Sequence, residues 1–367
     1  MLSSRFMARL PDEIVSLYSE MEGELIALLA EKLGDFRKFT SAQDLQTRIL
    51  ASWDRQAVLN IIENANKKLS PKVQAVFDKA LEKGNEGLAL DKVQKQLVRQ
   101  VLNKPVHDKF SALGLVDERI KRLSLTIADT GQTAFIKEAS LAFAKTNSGA
   151  WSYDEAIKKA IDNLVSNGIK TVQYSSSGAT IVRSVESMIR TNVLTGVNQV
   201  AREQALTQAE VLETNLVEVS AHLGARPDHA RWQGKIFQIY GESKLYKNLK
   251  EETRLGEPDG LLGINCRHFF RPYVYGDEKH FSKGELDELK ETTVRYNGEE
   301  FNQYKAEQKM RTIERQMREE KKRIGAYEKA NLDASAPKAR YKKLNELAKD
   351  FETQTGIKLD KTRVNVG

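Results

Sequence analysis

Two stretches, EVSAHLGARPDHARWQGKIFQIYG at residues 218–241 and GLLGINCRHFFRPYVYG at 260–276, interrupt a chain that otherwise reads as helix. From His222 to His268 they hold three of its five histidines and its single cysteine. NLVEVSAH, by its β-branched content, and GKIFQIYG, bounded by glycines, each predict a short strand, and FFRPYVYG closes the region. The segment 214–276 is therefore expected to be a small, loop-rich α+β domain, inserted before long C-terminal helices.

Helical reading dominates on both sides. Proline is scarce, with seven among 367 residues, and none lies between Pro105 and Pro227 or between Pro272 and Pro337. Such intervals permit long helices, because nothing in them removes a backbone donor. From Pro11, Ile14, Leu17, Met21, Leu25 and Leu28 recur at helical spacing up to a stop at Gly34. Ser41 is placed to cap a second helix, Pro71 to begin a third, and Lys104-Pro105 to break the chain again. Ser152 and Glu155 have capping-box spacing. Residues 170–174 suggest a strand, and 176–213 one long helix with a stripe of Val182, Val185, Ile189, Val193, Val197 and Val200. From Ser282 the chain reads as helix again, broken in two at Asn297-Gly298, with a last helix after Pro337 and a tail at 356–367. The expected fold is mainly α and elongated, with a thin core. It divides into helical regions at 1–150 and 151–213, the α+β domain at 214–276, and C-terminal helices and tail at 277–367.

One cysteine cannot form an internal disulfide, which suits a reducing compartment. MLSSRFMARLPDEIV lacks an apolar signal core, so no secretory signal is expected. No uncharged apolar run is long enough to span a membrane. The net charge of +7 comes from 58 basic residues interleaved with 51 acidic ones, mostly solvated helix faces. There is no phosphate-cradling glycine loop, GxSxG, HExxH or zinc-deaminase signature, and no small-molecule substrate is expected.

His222, His229, Cys266 and His268 are the candidate metal ligands, of the types zinc prefers, on two separated segments. A structural zinc would staple a domain whose apolar core is small. Their spacing is unusual: six residues separate the first pair and one the second. The same side chains fit a hydrogen-bonded cluster capping turns, with Trp232 packed over it. A Cys266 nucleophile with a histidine base, or a metal-dependent hydrolase or nuclease using Asp228 and His229, is the enzymatic alternative. A second feature is basic: Arg311, Arg315, Arg318 and Lys322 recur at helical spacing. They read either as a salt-bridged helix face or as one that docks an acidic protein surface or DNA. The apolar stripes of 153–206 and 283–331 would need a partner to cover them.

VSAHLGARPDHARWQGKIF followed by GINCRHFFRPYVYG resembles the signature of the phage minor capsid protein 2 family, and more distantly that of the Mu F-like head morphogenesis proteins. In those relatives cysteines often stand where this chain has His229 and His268, while Cys266-Arg267 is retained, an exchange that zinc ligands tolerate. LPDEIVSLYSEMEGELIALLAEKL, SYDEAIKKAIDNLVSNGI, SMIRTNVLTGVNQVA and QKMRTIERQMREEKKRI resemble further parts of the family; 36–130 does so least. The resemblance implies a fingerprint of His222, Arg226, Pro227, His229, Trp232, Gln233, Gly234, Asn265, Cys266, Arg267 and His268. It also implies a non-enzymatic minor capsid protein of the virion, assembled in the host cytoplasm and present in few copies. Its implied partners are the portal protein and the inner capsid surface, and packaged DNA. Its implied role is in head assembly, DNA packaging or DNA delivery.

Overall fold

The computed structural model describes residues 4–35, 54–86, 93, 96, 107–167, 169, 172–176, 179–241 and 243–366. The expected caps at Ser41 and break at Lys104-Pro105 lie outside them. The described residues form eleven α-helices and seven strands, a mainly α fold with a small α+β portion, as the sequence suggested.

In chain order the helices are α1 (Ser4–Arg9), α2 (Asp12–Asp35), α3 (Arg55–Asn85), α4 (His107–Asn147) and α5 (Tyr153–Asn167). The hairpin β1 (Val172–Ser176) and β2 (Ala179–Arg183) precedes α6 (Val185–Val211). Then come β3 (Leu216–Val219), β4 (Ile236–Gln238), α7 (Leu249–Thr253), β5 (Phe270–Tyr273) and α8 (Lys283–Glu291). The hairpin β6 (Thr293–Tyr296) and β7 (Glu299–Asn302) leads into α9 (Gln303–Lys329), α10 (Ser335–Thr355) and α11 (Lys361–Val364).

Three expectations are corrected. Pro71 does not start a helix; it sits inside α3. It removes the bond to the Lys67 carbonyl, but the buried Leu69, Val73 and Phe77 carry the helix across it. The helix expected over 176–213 begins at Val185, because Ala179–Arg183 pairs with Val172–Ser176. Asn297-Gly298 does more than break a helix. With φ of 51° and 82° it forms the tight turn of a hairpin, the left-handed conformation that this dipeptide accepts at least cost.

The capping box expected at Ser152 and Glu155 is present, and the structure adds a second one. At α5, Ser152 N donates to Glu155 Oε2 at 2.9 Å and Glu155 N to Ser152 Oγ at 3.3 Å. At α8, Ser282 and Glu285 form the same box.

Contacts gather the chain into two units. One comprises Glu13–Leu69, Arg119–Ile189 and Lys309–Gly367. Its core joins Ile26, Leu33, Phe135, Ile161, Leu164 and Tyr327, none more than 4% exposed. Polar groups are buried in it too: Tyr18 Oη donates to Asn66 Oδ1 at 2.8 Å, and Tyr327 Oη to Asp162 Oδ1 at 3.1 Å.

The other unit comprises Met1–Asp12, Ser70–Glu118 and Arg190–Gln308 and contains the sheet β4-β3-β5, antiparallel throughout. Val217 and Val219 on the central strand are fully buried. Glu218 between them is buried as well, and its register partner Arg271 donates to it at 2.6 and 3.1 Å. The backbone N–H groups of His280 and Phe281 complete its hydrogen bonding at 3.1 and 3.2 Å. A buried carboxylate with that many donors fixes the strand register, because a slip of one residue would strand the charge. The sheet thereby holds the loops 220–235 and 254–269 side by side.

Candidate metal centre

His229 is carried on the turn before a 3₁₀ segment, Ala230–Trp232, and Cys266 and His268 on the stretch running into β5. All three are buried to within 1% exposure, and their ligand atoms lie within 4.8 Å of one another. Cys266 Sγ is 3.6 Å from His229 Nδ1 and 3.7 Å from His268 Nδ1. His222 stands one ring further out, its centroid 4.3 Å from that of His268.

Neighbouring groups decide where most of the ring protons sit. The His222 backbone N–H donates to Gln233 Oε1 at 2.6 Å, which orients that amide oxygen toward the cluster. His268 Nε2 lies 3.3 Å from the same oxygen, so it must be the donor. The lone pair of His268 Nδ1 therefore faces sulfur. His222 Nδ1 lies 3.0 Å from the Leu223 carbonyl and must donate to it, leaving the His222 Nε2 lone pair buried with no partner among the described residues. His229 Nε2 meets both the Asp259 carbonyl, at 2.9 Å, and the Arg226 guanidinium. The carbonyl favours a proton on Nε2 and a lone pair on Nδ1; the guanidinium favours the reverse.

The electrostatics follow from burial. It raises the Cys266 thiol above its usual range. It lowers His229 and, with the charge of His222 next, sets His268 well below the usual histidine value. Burial and then the Arg267 guanidinium lower His222 to about 4. At neutral pH the protein alone thus presents neutral imidazoles around a neutral thiol. That is the opposite of an activated thiolate, which needs an exposed, electropositive setting.

The remaining fingerprint residues build the frame. Trp232 packs its ring 4.4 Å from that of His229 and donates from Nε1 to the Glu252 carbonyl at 3.1 Å. Gly234, at φ +63°, donates to the Val219 carbonyl at 2.9 Å, and a Cβ there would meet Leu286 at 2.6 Å. Asn265 takes a left-handed φ of 56° that turns the chain into Cys266. Arg267 donates to the Gly224 carbonyl at 2.8 Å and to Glu307 at 3.3 Å. Pro227 is exposed, and Asp228 is largely so, 3.8 Å from His229 Nε2. Two contributors carried no signal in the sequence. Asp259 acts through its backbone carbonyl, and Asn198 on α6 donates to the Cys266 carbonyl at 3.3 Å.

The basic row on α9 divides. Arg315 is exposed, bonding Thr312 Oγ1 at 3.2 Å, and Arg311 is half-buried. Arg318 and Lys322 are buried. Arg318 pairs with Glu186 and donates to the Arg363 carbonyl at 2.8 Å, while Lys322 Nζ lies 2.5 Å from Glu22 Oε2. Two of the four cations are thus held inside their own unit rather than presented to a partner.

Residues 2–351 match the sequence profile of a family described as phage minor capsid protein 2. A protein of Lactococcus phage LL-H named "Structural protein" is 24% identical over 346 residues, covering 85% of this chain and 87% of that one. No solved structure matches. No helix among the described residues is long and apolar enough to cross a membrane.

Proposed function

This chain belongs to the phage minor capsid protein 2 family, a family of structural capsid proteins, and on that premise we propose that it is a minor head protein that docks the portal and the adjoining inner capsid surface. There it serves head assembly and the packaging or delivery of DNA, without catalysing a reaction.

One observation carries the docking reading. Tyr240, Leu245 and Tyr275 are 63%, 77% and 73% exposed, and Val274 adds a further exposed apolar surface. The strands place them at one end of the sheet. Leu216 at the start of β3 pairs with Gln238 on one side and Tyr273 on the other, so β4 and β5 both run out at that end. Asn215 ties Tyr240 there through both backbone groups, at 2.8 and 3.0 Å, and Thr214 Oγ1 donates to the Tyr273 carbonyl at 2.6 Å. The Lys247 carbonyl accepts from Gln238 N at 3.0 Å, bringing the loop of Leu245 alongside. Solvent-exposed tyrosines grouped with leucine and valine are the composition of an interface centre, supplying large contact area at low side-chain entropy.

Co-expression with the portal protein tests this. The wild-type chain is expected to co-purify with the portal ring, and the Tyr240→Ala, Leu245→Glu, Tyr275→Ala variant to remain soluble, folded and unbound. A wild-type chain that stays free at micromolar concentration, or a triple variant that binds unchanged, contradicts the proposal.

A further inference from the structure

We propose that Cys266, His229 and His268 bind a zinc ion, with His222 Nε2 as the fourth ligand, and that this ion staples the two loops of the sheet domain. The inference is independent of the docking reading, since it concerns the interior of the domain and not its exposed end.

The distances suit the ion. Zinc–sulfur bonds of about 2.3 Å and zinc–nitrogen bonds of about 2.05 Å, at a tetrahedral angle, put sulfur and nitrogen about 3.5 Å apart. The two Sγ–Nδ1 separations are 3.6 and 3.7 Å. Two imidazoles on one tetrahedral ion have ring centres about 5 Å apart, and those of His229 and His268 are 5.5 Å apart. His222, its ring centre 4.3 Å from that of His268, lies outside this convergent trio and must turn its Nε2 inward to complete the site.

The outer contacts suit it too. A ligating histidine commonly donates its other ring N–H to a carbonyl or carboxylate, which fixes the tautomer. His268 Nε2 has Gln233 Oε1, and His229 Nε2 has the Asp259 carbonyl, where zinc on Nδ1 would decide against the tautomer that the neighbouring Arg226 guanidinium favours. His222 donates from Nδ1 to Leu223 and keeps a buried Nε2 lone pair that no group among the described residues satisfies. Within the protein alone the single thiol proton of Cys266 can serve only one of these lone pairs. A buried acceptor without a donor is costly, and one cation answers all of them at once. One sulfur with three nitrogens and no carboxylate selects zinc over magnesium or calcium. Cys266 and His229 are 37 residues apart and join the two loops.

The full chain, expressed in zinc-supplemented medium and purified without chelator, is to be analysed for metal by elemental mass spectrometry. About one zinc per chain is expected. Cobalt added to the zinc-free chain should give the intense near-ultraviolet band of a thiolate–cobalt bond together with the visible bands of a tetrahedral site. Cys266→Ser should lose the near-ultraviolet band, and His222→Ala should weaken zinc binding at least tenfold, each checked for folding by circular dichroism. If a variant fails to fold, the cobalt spectrum of the wild-type chain decides alone. Zinc well below one per chain, with no thiolate–cobalt band, overturns the site. An unchanged zinc affinity in folded His222→Ala overturns the assignment of the fourth ligand.

Discussion

Lys322 and Glu22 stand 300 positions apart in the chain, yet Lys322 Nζ lies 2.5 Å from Glu22 Oε2, and both side chains are 7% exposed. Glu22 Oε1 also accepts from the backbone N–H of Ile169 at 3.4 Å, so one carboxylate ties together three parts of its unit. Removing one partner of a buried pair leaves an uncompensated charge, at a typical cost of about 3–5 kcal/mol. Lys322→Met is therefore expected to lose that much in urea unfolding. The double variant Glu22→Leu, Lys322→Leu should recover much of the loss, since it removes both charges.

Arg315 and Arg318 separate the exposed part of α9 from its buried part. Arg315→Glu should change stability by no more than about 0.5 kcal/mol, as surface substitutions usually do. Arg318→Glu places a carboxylate against Glu186 and should cost about 3 kcal/mol or more. Thermal unfolding of the two single variants checks this. Equal effects would contradict the inward placement of Arg318.

Glu314 predicts a pH dependence. It is 4% exposed, and burial raises its carboxyl above the usual range despite the Asp360 N–H at 2.9 Å and Arg363 at 3.9 Å. Between the ordinary carboxylate value and the raised one, the folded state holds more protons than the unfolded state. Stability therefore falls as pH rises through that window. Glu314→Gln keeps the acceptor for Asp360 and cannot ionise. The variant should gain stability relative to the wild type as pH rises from the ordinary carboxylate value toward the raised one. A difference that is flat, or that moves the other way, contradicts the assignment.

Local signals in the sequence were legible because their chemistry closes within four residues. The capping box at Ser152 is of this kind. The hairpin at Asn297-Gly298 was legible in principle. Its turn dipeptide lies between Thr293–Tyr296 and Glu299–Asn302, whose charged residues suit an exposed helix as well as an exposed hairpin. Ala179–Arg183 was absorbed into a helical stripe for a related reason: its β-branched residues fit either period, and pairing with Val172–Ser176 decides. What could not be read was direction. Whether Arg318 and Lys322 point outward depends on Glu186 and Glu22, which are 132 and 300 positions away. Nor could the Asp259 carbonyl announce itself, since every residue has one.

The turn gives its own test. Gly298 has φ of 82° and open space around it, so Gly298→Ala meets only backbone strain. A cost of about 1–2 kcal/mol is expected, with Gly298→Asn milder because asparagine tolerates that conformation. Chemical denaturation of the two variants checks the order.

The central claim is that this protein is part of the phage head at the portal. Its most direct test is cryo-electron microscopy of purified heads, with mass spectrometry of the same material. The account predicts the chain in intact heads at far fewer copies than the major capsid protein, with density for the sheet domain against the portal and Tyr240 and Tyr275 in the contact. Heads that assemble and package without the chain in them, or a chain found only outside the capsid, would contradict it.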